Sequence, residues 1–429
     1  MTQIAAPQPA PGPGGAPADP ARPAARLGAA HRPFDQHGMH ALFARARTEA
    51  PVFLSPEIGY WVVTRREDVL AVFRDPRRFS AAIALAPVRP LPASVSARLR
   101  DGGYRAEATR VSADDPVHGR IRRFAGRLLS AKAFAALEPD IRRLVRETVD
   151  RLPTRGRADM VADFAYELPA RVVFLLIGAP DADVPKIKTW ADDRLPFTFG
   201  ELDETAQLRA ADRLLDYWRY CVEMVEDRKR APRDDYASHL LALRAGDDAN
   251  MTENEVASLV FGLLLAGHET TSNMTANALQ ALLSHPGAWE ALVADPALIP
   301  NAVEECLRWH GSVVCWRRRA LEDVEVGGQA IPAGAHLLLA LASANRDEGH
   351  FPDPETFDIR RPNARDHLSF GHGAHFCLGA PLARLELRII LEELAARRPR
   401  LRLAEPPEAA PFIRTLAFRG PTRLQVEIG

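Results

Sequence analysis

The sequence predicts a mainly α-helical protein with a small β component, and three observations carry that prediction. Apolar residues recur at spacings of three and four across most of 119–244, the signature of amphipathic helices. A capped segment opening at Thr252 continues with helical patterning to the His285-Pro286-Gly287 break. Runs of β-branched and aromatic residues, by contrast, concentrate in one short pair at 51–64.

Composition narrows the function. Of 429 residues, 47% are hydrophobic and 26% charged, enough apolar material for a large core. The 55 basic and 56 acidic residues leave a formal charge of −1, so no electrostatic footprint points to nucleic acid or an anionic membrane. The cysteines, at 221, 306, 315 and 377, are too sparse for a disulfide framework or a zinc site, and reduced thiols in a cytoplasmic protein are expected. Apolar stretches such as 260–266 fall far short of the roughly 20 residues that a membrane span requires, and the N-terminus does not read as a secretory signal.

Residues 1–33, rich in Ala, Pro and Gly, are expected to form a disordered tail, because they cannot bury enough apolar surface to offset the entropy of ordering. Residues 34–429 then form a single domain, expected to be monomeric. Within it the pair at 51–64 flanks a Pro-Glu-Ile-Gly turn, and a helix follows at 67–74.

The longest helix starts at Thr252, where Thr252 and Glu255 form a capping box, and at about 1.5 Å per residue it is long enough to cross the domain. Its first half is apolar around most of the circumference, which makes it central and buried. Ala266, Gly267, His268, Glu269, Thr270 and Thr271 then interrupt the apolar run. On a solvated face these would be ordinary. Inside a buried helix, an acid beside a hydroxyl costs free energy unless both are satisfied or used, and the small Ala266 and Gly267 would let a flat group approach the backbone.

At 300–311 a further helix, PNAVEECLRWHG, places Glu305 and Arg308 three apart on one face, where they can pair. Next comes FGHGAHFCLGAPLARLELRIILEELAARR at 370–398, a glycine-rich loop that delivers Cys377 just ahead of a helix beginning near Pro381. Backbone N–H groups and the positive end of that helix dipole favour a thiolate there. Cys221, Cys306 and Cys315 lack that setting and read as small core hydrophobes.

Taken together, FGHGAHFCLG, AGHETT and the Glu305/Arg308 pair resemble the haem loop, the oxygen-activation segment and the ExxR pair of the bacterial cytochrome P-450 superfamily, over essentially all of 34–429. The resemblance implies a mainly α P-450 fold with haem b between the long central helix and a proximal Cys-ligand loop. It makes Cys377 the iron ligand, whose thiolate favours O–O cleavage, with Phe370, Gly379 and Ala266 beside the cofactor. Glu269 and Thr270 become the acid and alcohol that deliver protons through water to the oxygen being activated. His118 and Arg122, together with Arg318 and His375, become partners of the haem carboxylates, and Glu305 and Arg308 a structural pair. The third member of the ExxR network is missing, because Thr356 stands where the family often has arginine; Arg360 or Arg361 is the candidate substitute.

A narrower resemblance, carried by PVFLSPEIGYWVVTRREDVLAVFRD, PNAVEECLRWHGSV, FDIRRPNARDHLSFG and AFRGPTRLQV, is to the haem domain of self-sufficient bacterial enzymes fused to a flavin and iron-sulfur reductase, and to their unfused relatives. The chain ends soon after its last strand, so electrons from NAD(P)H are expected through a ferredoxin or a flavin and iron-sulfur reductase, either external or fused in a longer native chain. Arg120, Arg123, Arg384 and Arg388 are candidates to meet such an acidic partner, or simply solubilising charge. The pocket implied by resemblance takes in Ile83, Leu85, Gly262, Leu265, Val313, Val314 and Leu416, mostly apolar and uncharged. A small to medium apolar or aromatic substrate is expected, with hydroxylation, dealkylation or sulfoxidation open, and O2 as co-substrate. Two alternatives stay open beside the monooxygenase: a peroxide-driven peroxygenase and a non-enzymatic haem-thiolate binding or sensing protein.

Overall fold

The computed structural model describes residues 22–429, except for the side chain of Leu265. Part of the expected N-terminal tail is therefore ordered, which corrects the boundary at 33. Pro23–Ala30 is a helix with proline in its first turn and Leu27 fully buried. A Cβ on Gly28 would stand 2.2 Å from Leu54 O, so glycine is what allows this helix to lie on the first strand. Apolar packing, not composition, orders the segment: Leu27 shares a core with Phe43 and Phe53. Residues 1–21 lie outside the described residues.

The strand pair is Val52–Ser55 and Tyr60–Val63, antiparallel with Val52 opposite Val63. Tyr60–Val63 continues in parallel with His336–Leu339, which runs antiparallel to Trp316–Ala320, and Phe79–Ser80 closes this five-stranded sheet. Side chains alternate along a strand, so Trp316 and Arg318 share a face. Two smaller sheets, of three and two strands, complete the β component.

Helices form the rest of the body around Glu253–Ser284, which spans 32 residues. Its capping box is closed both ways: Glu255 N donates to Thr252 Oγ1 at 3.0 Å and Thr252 N to Glu255 Oε2 at 2.8 Å. The helix packs on Leu168–Ile177, Glu204–Arg230, Tyr236–Arg244 and Ile299–His310. Gly267 serves the first of these contacts, because a Cβ there would come within 2.5 Å of Val173 Cγ2. Of the two small residues expected to admit a flat group, only Ala266 is exposed; Gly267 admits a neighbouring helix. Among the described residues no helix is long and apolar enough to cross a membrane.

Candidate active site

The Cys377 loop is shaped by two glycines in left-handed backbone, Gly371 at φ 69° and Gly373 at φ 72°. Gly373 is doubly constrained, since a Cβ would also meet Phe73 O at 2.6 Å. Cys377 N donates to Phe370 O at 3.0 Å, and the helix Ala380–Arg397 starts three residues later. Cys377 is exposed, whereas Cys221, Cys306 and Cys315 are buried. Surrounding protein still raises the Cys377 thiol above its usual value, while the N–H groups of Gly379 and Ala380 and the guanidiniums of Arg110 and Arg122 pull it down. Burial drives the Cys315 thiol up to about 12, with its Sγ donating to Leu416 O, so it stays a protonated core group. Phe370 is half-buried with the Arg384 guanidinium 4.6 Å from its ring centroid.

Around this loop the chain gathers basic groups against few acids, the exposed Asp115 lying 3.8 Å from His118 Nδ1. The His118 and His375 rings lie 4.0 Å apart, Arg122 Nη2 donates to Phe376 O at 2.9 Å, and His375 Nδ1 to Arg110 O at 3.1 Å. Arg318 is 3% exposed and donates only to Arg317 O; no carboxylate pairs with it among the described residues. Burial lowers its pKa to about 10, opposed by the more distant Asp114. Burial first, then Arg318 and His118, push His375 down to about 3. Arg110, absent from the sequence expectations, adds a further guanidinium whose Nε is buried without a partner. A buried cation, an orphaned guanidinium N–H and two imidazoles beside an exposed thiol fit a cofactor that brings a thiolate-seeking metal and two carboxylates, which is the donor set haem b requires.

On the opposite side stands the interrupted helix. Thr270 Oγ1 donates to Ala266 O at 2.9 Å, and Thr271 Oγ1 to Gly267 O at 3.2 Å, the back-bonding that threonines use within helices. His268 is fully buried and bonded to Leu264 O, so it does not sit on a solvated face. Burial raises Glu269 to about 8, with Lys188 and Arg194 opposing. Lys188, also unanticipated, is 4% exposed on the helix Val184–Ala191, with its ammonium 4.0 Å from the Tyr166 ring centroid. Tyr166 in turn donates to Asp192, at 2.7 Å to Oδ1.

Beneath the Cys377 loop the structural pair is saturated. Arg308 Nε and Nη2 donate to Glu305 at 2.6 and 2.8 Å, and its remaining N–H groups reach Asn345 O, Pro354 O and Thr356 O. Arg361 takes the third position, donating to Glu305 Oε1 at 3.3 Å, while Arg360 is exposed. Thr356 joins through its backbone carbonyl alone.

The four arginines expected to meet a partner divide. Arg120 is held by Glu255 at 2.6 and 2.9 Å, Arg384 by Glu304 at 2.7 and 2.9 Å, and Arg388 by Glu138 and Glu392, both at 2.9 Å. These are internally neutralised and correct the expectation; Arg123 is exposed and keeps no ion pair among the described residues.

Ile83, Leu85, Val313 and Leu416 do converge, in one apolar cluster with Phe199, Trp316 and Phe418. Phe199 meets Phe418 edge-on at 5.0 Å. The three aromatics are far apart in the chain and carry no local signal, which is why they were missed. Val314 is not part of that cluster: it is buried and, together with Val313, lines a small internal cavity beside His310. Gly262 lies under the Arg110 guanidinium, whose Nη2 is 3.3 Å from the position of a Cβ there. The side chain of Leu265 lies outside the described residues.

Comparison with known proteins agrees with this geometry. A sequence profile described as cytochrome P450 matches residues 192–397. The mycinamicin IV hydroxylase/epoxidase of Micromonospora griseorubida is 37% identical, covering 85% of this chain and 89% of that one. Among solved structures, cytochrome P450 CREJ in complex with (4-ethylphenyl) dihydrogen phosphate superposes with a TM-score of 0.90 at 41% identity, over 93% of this chain and 99% of the other. Full-length CYP116B46 from Tepidiphilus thermophilus gives 0.90 at 38% identity, over 95% of this chain but 54% of its own length.

Proposed function

The chain belongs to the cytochrome P450 family and is a haem monooxygenase using haem b, O2 and NAD(P)H-derived electrons passed on by a redox partner; from that premise we propose that it oxidises a small to medium apolar or aromatic substrate. The observation that carries this is the cluster of Ile83, Leu85, Val313 and Leu416 with Phe199, Trp316 and Phe418, an apolar wall with no carboxylate in it. The aryl phosphate in the similar CREJ complex supports an aromatic ring as one shape that such a wall accepts. Hydroxylation, dealkylation and sulfoxidation all suit it.

When bound, the haem supplies the chemistry of O2 reduction and oxygen transfer, and the protein supplies holding, orientation and protons. Cys377 would hold the iron, His118, Arg122, Arg318 and His375, joined by Arg110, would hold the carboxylates, and Phe370, Gly379 and Ala266 would line the cofactor's site. Glu269, raised to about 8, carries a proton at neutral pH that it can give up. Lys188, Tyr166 and Asp192 form its route toward solvent. Thr270 keeps oxygen lone pairs free to hold water in the distal space while its proton is given to Ala266 O.

Electrons are supplied by a ferredoxin or a flavin and iron-sulfur reductase, and Arg123, exposed and without an ion pair among the described residues, is one cation available to meet its acidic face. The test has two stages. Reduced protein under carbon monoxide should show a thiolate-type Soret band that disappears in Cys377→Ser. A spin-state screen should then favour apolar aromatics, with product formed only when ferredoxin, reductase and NAD(P)H are supplied together. Product from peroxide but none from that electron chain would make the enzyme a peroxygenase instead.

A further inference from the structure

A second polar cluster, bordering the apolar wall at Val313, lies where the helix Met39–Glu49, the end of Ile299–His310 and the C-terminal segment around Arg419 meet. It encloses a cavity of about 10 Å3 whose polar lining includes His40, His310, Arg308, Asn345 and Arg419, with no acidic residue. That is room for one particle of about water's size.

Charge around the cavity does not balance. Arg308 is neutralised by Glu305, Arg47 by Glu348 and Arg346 by Glu355. Arg419 has no carboxylate within ion-pairing distance among the described residues. Its Nη1 donates to Asn277 Oδ1 at 2.9 Å, and its guanidinium stands 4.0 Å from the Phe412 ring centroid. Beside it the His40 and His310 rings stack, 6.1 Å apart and 19° from parallel. Both ring nitrogens of His40 and Nδ1 of His310 are closed to solvent and have no hydrogen-bond partner. Burial, reinforced by Arg346 and Arg419, holds both imidazoles far below their usual range, so each is neutral with one N–H to offer.

We propose that this cavity binds one monatomic anion, chloride under ordinary conditions, between Arg419, His40 and His310. An unpaired, partly buried cation and orphaned imidazole nitrogens are each costly, and one acceptor-only ion answers the guanidinium and two N–H groups together. Water would leave the charge uncompensated, and sulfate or phosphate exceeds the space. The site also has a structural reach. Arg419 N donates to Ser312 O at 2.8 Å and Val314 N to Ala417 O at 2.9 Å, so the ion would pin together the two segments that carry Val313, Leu416 and Phe418 into the apolar cluster.

The test uses crystals of the haem-loaded enzyme grown in bromide, with anomalous data at the bromine edge. A peak between Arg419 and the two imidazoles is expected, together with a saturable rise in Tm in chloride or bromide that sulfate at matched ionic strength does not reproduce. Arg419→Gln and, separately, His310→Phe should lose the peak and the halide-dependent part of Tm. Water density without an anomalous peak in saturating bromide overturns the proposal, and so does a peak of undiminished occupancy in Arg419→Gln. Because the wild-type peak is read directly, poor folding of a variant does not rescue the idea.

Discussion

Two regions on either side of the Cys377 loop treat buried polar groups in opposite ways. Below it, Glu305, Arg308 and Arg361 are satisfied almost donor by donor, by one another and by the carbonyls of 345–356. Across from it, Glu269 sits near pKa 8, His268 Nε2 has no partner, and Lys188 is buried against an aromatic ring. Satisfied groups have no spare capacity and can only hold shape. Under-satisfied groups keep protons close to transfer, which is the property a proton-delivering face needs.

The largest expected effect would break the saturated side. Arg308→Ala leaves the Glu305 carboxylate buried without its main partner, at a cost of about 3–5 kcal/mol. Chemical denaturation should show that loss, with haem retention falling alongside it; a stable, fully loaded variant would remove the contrast. On the distal side Glu269→Gln should do the reverse, leaving the fold intact while reducing coupled turnover about a hundredfold, the lower end of what a lost general acid costs. Product formed per O2 consumed is the readout.

The same residue gives a pH signature. A carboxyl whose folded-state pKa is raised, here from 4.5 to about 8, binds more protons folded than unfolded between those values. Its contribution to stability is therefore complete below pH 4.5 and declines as pH rises through 8. Relative to wild type, Glu269→Gln should gain stability steadily across that window. Lys188→Met should move the upper end of it higher, since Lys188 pulls the Glu269 pKa down; an unchanged profile would detach Lys188 from the acid.

The smallest effect separates neighbours that the chain alone does not distinguish. Arg360→Ala, at an exposed position, should stay within about 0.5 kcal/mol of wild type. Arg361→Ala removes donors to Glu305, Pro352, Asp353 and Thr356 and should cost several times more, about 2 kcal/mol.

What was legible in the chain was what local chemistry encodes. The Thr252 capping box, the helix stop before His285, the strand pair at 51–64 and the glycine-flanked Cys377 all follow from residues a few positions apart, and each stands in the structure. The ordered helix Pro23–Ala30 escaped because its composition is that of a linker and its order comes from packing on the first strand. Arg120 and Arg384 read as free surface charge because their acids lie 135 and 80 positions away, and Arg388 because one of its two, Glu138, lies 250 positions away. Lys188, Arg110 and the Phe199/Trp316/Phe418 wall belong to the same class. Local spacing determined which backbone elements form and which cysteine stands exposed at a helix start; only tertiary packing decided which charges are buried, paired or left in want of a partner, because burial and pairing are properties of what the fold brings alongside.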